Sequence, residues 1–222
     1  MKKQRDNLKK KRLRIFFSGL EKKSKSREAS KSLEDLLTLT GMKYIQMKLP
    51  IEKITPEFEH FIKGKIESHI INAKIRDVEE EDLTILVDLY NKSWLTAREP
   101  YSRLSLESLR KIYEYPDTKI FIVRHFGIDA GFVILDIEGE NKDIGVISGL
   151  GILPRFQGKG LGKVIGIAAW NYFKDKRIKE LRCEVYHENV VSYNFIKSLG
   201  FEEYDTKFYK REDFELTEEI TT

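Results

Sequence analysis

The sequence predicts an α/β fold in which helices flank one central sheet of mixed, mostly antiparallel direction. Three observations carry this reading. Between Ala73 and Arg211, strand-like apolar alternation gives way repeatedly to helix-like 3–4 spacing. Three strand-like runs between Lys119 and Leu153 are joined only by short polar turns, which predicts an antiparallel meander. A glycine-rich basic turn then opens a stretch in which helices and strands alternate, as in a layered α/β sheet.

Taken in order, Ser30–Leu39 reads as a short helix stopped by Gly41, and Lys43–Leu49 as a short extended segment. Thr55-Pro56-Glu57 has the form of a helix start: a capping hydroxyl, proline in the first turn, then an acid. That helix is expected to run to about Ile70, with Phe58, Phe61, Ile62 and Ile66 on one side. Ala73–Val78 reads as a strand. Glu79–Trp94 reads as a helix with Leu83, Leu86, Val87, Tyr90 and Trp94 on its apolar stripe, and Leu106–Tyr113 as a second, closed by Pro116. Lys119–His125, Ala130–Ile137 and Asp143–Leu153 form the meander, turning at Gly127-Ile128-Asp129 and Glu138–Lys142. A helix follows over Leu161–Phe173, then a strand Glu180–Tyr186 with Leu181, Cys183 and Val185 on one face. A helix Val190–Leu199 ends at Gly200, and Phe201–Lys210 is the last strand.

Composition limits the classes. At 222 residues the chain accommodates one full domain and an extension, and 41% apolar content is enough for a packed core. No run of about 18 apolar residues is present, so no membrane span is expected, and the basic N-terminus lacks the apolar stretch of a secretory signal. The single cysteine, Cys183, excludes an internal disulfide; its alternation with Leu181 and Val185 assigns it to the core. The expected location is cytoplasmic. His60, His69, His125 and His187 show no ligand spacing, so no metal is expected. Charge is uneven: residues 1–31 carry 13 Lys or Arg against 3 Asp or Glu, while the remainder is net acidic. The expected division is a basic flexible arm over 1–31, a helical N-terminal extension over 32–72 and the main domain over 73–222. The arm is suited to an anionic partner such as nucleic acid, a ribosome or a lipid surface, or else is a solvated tail.

The turn "PRFQGKGLGK", Pro154–Lys163, decides the chemistry. A P-loop would need glycine at position 157 and a hydroxyl at 164, where this chain has Gln157 and Val164. A dinucleotide fingerprint read from Gly158 would need glycine where Lys163 stands, and a parallel strand rather than a meander around it. What remains is Gln157-x-x-Gly160-x-Gly162 opening a helix directly after a strand. Glycines there let main-chain N–H groups approach an anion, the helix dipole favours it, and Lys159 and Lys163 add mobile charge. Alone, the same residues would also make an ordinary turn.

With "LGILP" before the turn and "ENVVSYNFIKSLGFEEY" after it, the pattern resembles the GNAT superfamily of acyl-CoA-dependent N-acyltransferases over about Ala73–Arg211. The family's Q/R-x-x-G-x-G/A motif is met by Gln157, Gly160 and Gly162. Its later asparagine and Gly-Phe are met by Asn189 and Gly200-Phe201. The resemblance implies a GNAT-like sheet and acetyl-CoA as co-substrate. It implies a pyrophosphate cradle of Gln157, Gly158, Lys159, Gly160, Leu161, Gly162 and Lys163, with Leu150 and Ile152 pairing through their backbone with pantetheine and Asn189 contacting the cofactor. An open strand edge satisfies pantetheine amides as another strand would. Gly145, Gly149 and Gly151 are expected on one face of that strand.

The implied reaction is direct attack of an amine on the thioester, which needs a neutral amine and a donor for the developing oxyanion, expected as a backbone N–H near Ile152. The chain departs from the family where many members carry a tyrosine as acid, seven residues after the asparagine: Ile196 stands there. Tyr193, one turn earlier, is the candidate substitute, or else a packing tyrosine. His187 and Glu184 are the candidate bases, and Asp143, Glu138 and Glu140 cluster near the start of the third meander strand. The acceptor is expected between the first two helices of the domain, in "LYNKSWLTAREPYSRLS", with Tyr90, Trp94, Arg98 and Tyr101 lining a pocket and Glu99 beside Arg98. The leading expectation is an N-acetyltransferase acting on a protein N-terminus, a lysine or a small amine. The alternatives are an acyl-CoA sensor without turnover and a nucleic-acid- or ribosome-associated protein acting through the arm. A homodimer is left open.

Overall fold

Residues 41–57, 59–60, 72–94, 97, 99, 103–174, 176–210 and 213 are described by the structure, a computed structural model. Their strands are β1 (Met42–Pro50), β2 (Ala73–Asp77), β3 (Thr118–His125), β4 (Ile128–Glu138), β5 (Ile144–Ile152), β6 (Glu180–Tyr186) and β7 (Glu202–Tyr209). Their helices are α1 (Leu83–Trp94), α2 (Leu106–Tyr113), α3 (Leu161–Lys174) and α4 (Val190–Ser198). The strands form one sheet in the order β2-β3-β4-β5-β6-β1-β7. Only β5 and β6 pair in parallel; every other neighbour is antiparallel.

Local chemistry sets the elements. Before α1, the Glu79 and Asp82 side chains cap each other's backbone N–H reciprocally, so the chain enters the helix through a short 3-10 turn rather than at Glu79. Ser105 caps α2 by accepting the Ser108 N–H at 3.1 Å. Helices cover both faces of the sheet. On the α1 side, Tyr90 packs on Phe132 with ring centroids 5.5 Å apart. On the other side Tyr172 of α3 packs edge-on to Phe121, and Phe173 is buried near Gly145. Among the described residues no helix is long and apolar enough to cross a membrane.

The meander forms as expected. Two expectations do not survive. Residues 43–49, read as an extended segment but set outside the main domain in a helical extension, belong to a strand inside the sheet, hydrogen-bonded to β6 on one edge and β7 on the other. Both faces of β1 are covered, so its residues lack the polar–apolar alternation that marks a half-exposed strand. Gly145, Gly149 and Gly151 do not share a face. The β4–β5 register shifts at Ser148, which inserts an extra residue and reverses side-chain direction. An added Cβ at Gly145 would meet Phe173 and Leu181, whereas one at Gly151 would meet Phe132 and Ser93 on the α1 side. The arm, the helix at Ser30–Leu39 and residues 61–71 of the helix starting near Thr55 lie outside the described residues; positions 56–57 and 59–60 are helical.

Candidate active site

The sheet opens where its two parallel strands part. Their register runs only from Ile144↔Glu180 to Ile147↔Cys183. Beyond the Ser148 bulge, β5 continues beside β4 alone. The Leu153 N–H bonds the Ala130 carbonyl at 2.9 Å, which makes 153/130, and by alternation 151/132 and 149/134, the hydrogen-bonded pairs. The backbone groups of Leu150 and Ile152 therefore point away from β4 into the gap. The Ile152 carbonyl is taken by the Gln157 side chain, whose Nε2 donates at 3.0 Å. The Leu150 amide and the Ile152 N–H remain as an edge on which a diamide could pair as a further strand does.

The glycine turn closes the gap at one end. Phe156 is buried and anchors a short 3-10 turn over Pro154–Phe156. Gly158 (φ 75°) and Gly160 (φ 80°) both sit in the left-handed region. The Gly160 carbonyl accepts the Lys163 N–H at 3.0 Å and so starts α3. The N–H groups of residues 158–162 have no acceptor among the described residues, and they lie at the positive end of the helix dipole. Gly162 serves packing: a Cβ there would stand 2.9 Å from the Phe195 ring of α4. The resulting cleft holds about 580 Å³ between Trp94, Leu150–Ile152, Gln157–Lys163 and Asn189–Ser192. Asn189 is buried and its Oδ1 caps α4 by accepting the Ser192 N–H at 3.1 Å, which leaves its amide NH₂ to the cleft.

Other expected site residues fall elsewhere. Tyr193 turns outward and its hydroxyl donates to Glu203 on β7, away from the cleft lining. The position of the family's tyrosine, Ile196, is only 5% exposed, inside the core. His187 hydrogen-bonds through its backbone to the Lys43 carbonyl at 3.1 Å and stacks edge-on against Tyr186; it does not line the cleft. Glu184 is the first β6 residue beyond the last β5 partner, and both its carboxylate oxygens lie within reach of the Tyr209 hydroxyl, at 2.8 and 3.0 Å. Asp143 is ion-paired to Lys179 at 3.0 Å. Trp94 lines the cleft, whereas Tyr90 is wholly buried between Phe132 and Trp94. Arg98 and Tyr101 lie outside the described residues. Among the described residues no group of three metal-ligating side chains occurs.

Sequence reasoning missed three residues. Ser93 lines the cleft, and its buried Oγ has no partner among the described residues. Tyr44 and Gln46 of β1 face the α1 side of the sheet, where the Tyr44 hydroxyl donates to Glu99 at 2.7 Å. Ser93 sits one helical turn from Tyr90 and was hidden by the apolar stripe. The two β1 residues were hidden because their strand was not placed in the sheet.

A family model described as the acetyltransferase (GNAT) family matches residues 86–201. A mycothiol acetyltransferase of Rhodococcus erythropolis is 30% identical over 67 residues, 30% of this chain and 22% of that protein. One from Renibacterium salmoninarum is 36% identical over 65 residues, 29% and 19% of the two chains. The matched segment thus spans about a fifth of the length of these curated relatives. The fold is shared with PaiA N-acetyltransferase of Thermoplasma acidophilum, solved in complex with coenzyme A: TM-score 0.54, 24% identity, 62% of this chain and 99% of that one. It is also shared with AAC(6')-Iy in complex with a CoA-containing bisubstrate analogue: TM-score 0.53, 22% identity, 63% and 97%. A functionally unknown conserved protein from Staphylococcus epidermidis matches at TM-score 0.56 and 12% identity over 82% of this chain and 66% of its own.

Proposed function

The chain belongs to the acetyltransferase (GNAT) family, and from that premise we propose that it is an N-acetyltransferase that moves the acetyl group of acetyl-CoA onto a primary amine. The observation that carries this is the parted β5–β6 pair leading into a left-handed glycine turn, whose N–H groups lack acceptors among the described residues. Such a turn fits a pyrophosphate without a metal, and the free edge of Leu150 and Ile152 fits a chain bearing two amides.

The reading assigns Gln157, Gly158, Lys159, Gly160, Leu161, Gly162 and Lys163 to the pyrophosphate, Leu150 and Ile152 to the pantetheine arm, and Asn189 to the cofactor beside them. Gln157 acts through its backbone, since its side chain ties the turn to Ile152. The thioester of acetyl-CoA supplies the activated acyl group. A backbone N–H of this free edge near Ile152 is the donor this reading assigns to the carbonyl oxygen as it gains charge during attack. An amine of pKa about 10 must lose a proton first, which near neutral pH costs roughly 4 kcal/mol without a base. A thiol has a pKa of about 8.5, so thiolate departure is only mildly uphill and proceeds without an acid where Ile196 stands.

Calorimetric titration of the purified chain with acetyl-CoA tests the reading, beside a Gly160→Asp variant that puts bulk and negative charge in the cradle. The expected result is saturable binding by the wild type and none by the variant. A well-folded wild type that does not bind overturns it. The buried Ile196 favours a second reading, acyl-CoA binding without turnover; thioester cleavage driven by any added amine removes that one.

A further inference from the structure

Asp136 of β4 is 2% exposed, a buried acid with no place in the transfer reaction. By strand alternation it shares the α1 face of β4 with Phe132. Each oxygen of its carboxylate accepts a hydroxyl, one from either neighbouring strand. Oδ1 takes the Thr118 hydroxyl of β3, and Oδ2 takes the Ser148 hydroxyl of β5. Thr118 stands directly opposite Asp136 in the β3–β4 register. Ser148 stands opposite nothing: it is the extra residue of β5, between Ile147 opposite Leu135 and Gly149 opposite Ile134. Ser148 is itself buried. A carboxylate is costly to bury, and hydrogen bonds to it are among the strong ones. This one ties the side chain of the inserted residue to the strand that the insertion slips past.

The inserted residue decides which backbone groups the gap beside β5 receives. With Ser148 out of register, Gly149 and Gly151 bond to β4, and Leu150 and Ile152 face the gap. If Ser148 slid into register, the alternation beyond it would move by one residue. Leu150 and Ile152 would then bond to β4, and the two glycines would face the gap. Backbone bonding alone holds such a bulge weakly, because the extra residue is left unpaired. A glycine-rich strand specifies register weakly as well, and positions 149 and 151 have no side chains with which to fix it. The Ser148–Asp136 bond supplies what this stretch lacks.

Resting on the acetyltransferase reading, we propose that Asp136 is a positioning residue for the cofactor. Through Ser148 it fixes the bulge of β5, and so presents the Leu150 and Ile152 backbone to the pantetheine arm. Asp136 does not line the cleft and acts only through the strand. Thr118 holds the same carboxylate from the β3 side, away from the gap.

Two ligands separate the glycine turn from the strand edge. Acetyl-CoA uses both. Adenosine 3′-phosphate 5′-diphosphate, the part of CoA without pantetheine, uses the turn alone. Each is titrated calorimetrically into the full-length wild type, Ser148→Ala and Thr118→Val, with thermal midpoints measured beside them. Ser148→Ala frees the bulge and should weaken acetyl-CoA about tenfold, with the fragment bound as by the wild type. Thr118→Val removes the other hydroxyl from the same carboxylate; it should lower the thermal midpoint and leave both affinities as they are. Should Ser148→Ala not fold, Ser148→Cys, of nearly the same shape with a weaker donor, is read in the same way. Acetyl-CoA bound as tightly by Ser148→Ala as by the wild type overturns the proposal. So does an equal loss of acetyl-CoA affinity in Thr118→Val, or an equal loss for the fragment, since either marks a merely structural part. A wild type that does not bind acetyl-CoA removes the acetyltransferase reading itself, and the proposal with it.

Discussion

At Gly162 an added Cβ would press to 2.9 Å from the Phe195 ring, whereas Gly160 is required for its backbone angle, φ 80°. The two glycines of one motif thus answer to different physics. Gly162→Ala forces α3 and α4 apart and is expected to cost about 1–3 kcal/mol, read as a lower thermal midpoint. Gly160→Ala places a Cβ in the left-handed region and is expected to cost roughly 1–2 kcal/mol. The left-handed glycine turn before α3 was legible because such a turn is local: its glycines, its helix start and the strand before it are contiguous. Tyr193 was misread because helical spacing puts it near position 196 but does not show that Glu203, on another strand, takes its hydroxyl. Gln46 and Tyr44 carried no signal at all, since their neighbours Glu184, Tyr186 and Glu99 come from distant parts of the chain.

Among the elements, helices were the most legible and strand partners the least. Caps are written locally. Ser105 accepts the Ser108 N–H, so Ser105→Ala is expected to destabilise the fold by about 1 kcal/mol in urea unfolding, with acetyl-CoA affinity unchanged. The meander was legible because its turns are too short for anything but antiparallel neighbours. The bulge at Ser148 was not. A one-residue insertion leaves no mark on composition, yet it reverses which face each later glycine of β5 takes. β1 was read as extended but not as part of the sheet, because a strand covered on both faces loses its alternation and pairing is settled by residues far along the chain.

Across the whole molecule, stability is tied to acid pH by carboxylates that fold into ion pairs. Asp82 takes a hydrogen bond from Arg76 at 2.5 Å while capping the turn before α1, and Arg76 also reaches Asp129 at 3.2 Å. The hydrogen bond from Arg76 holds the Asp82 carboxyl below its usual range. A carboxyl lowered on folding stabilises above its unfolded pKa of about 4, and that contribution disappears as pH falls through the folded value. The stability gap between wild type and Asp82→Asn is therefore expected to be full at pH 7 and to close below pH 4, as measured by urea midpoints. A constant gap would mean that Asp82 acts only as a cap. The layered α/β class was legible at this scale, since it needs only the order of elements. The order of strands was not.

The placement of β1 between β6 and β7 has a bearing on biosynthesis. The first described strand leaves the ribosome before both of its partners, and its edges stay unsatisfied until the last strand has emerged. The cradle side of the molecule, β2 to β5 with the turn into α3, can assemble earlier. A nascent chain stopped before Phe201 would hold β2 to β6 and lack β7, and with it the Tyr209 hydroxyl that donates to Glu184. Translation thus completes the β1 end of the sheet last, and a truncated product would leave one edge of β1 open to pairing with another chain.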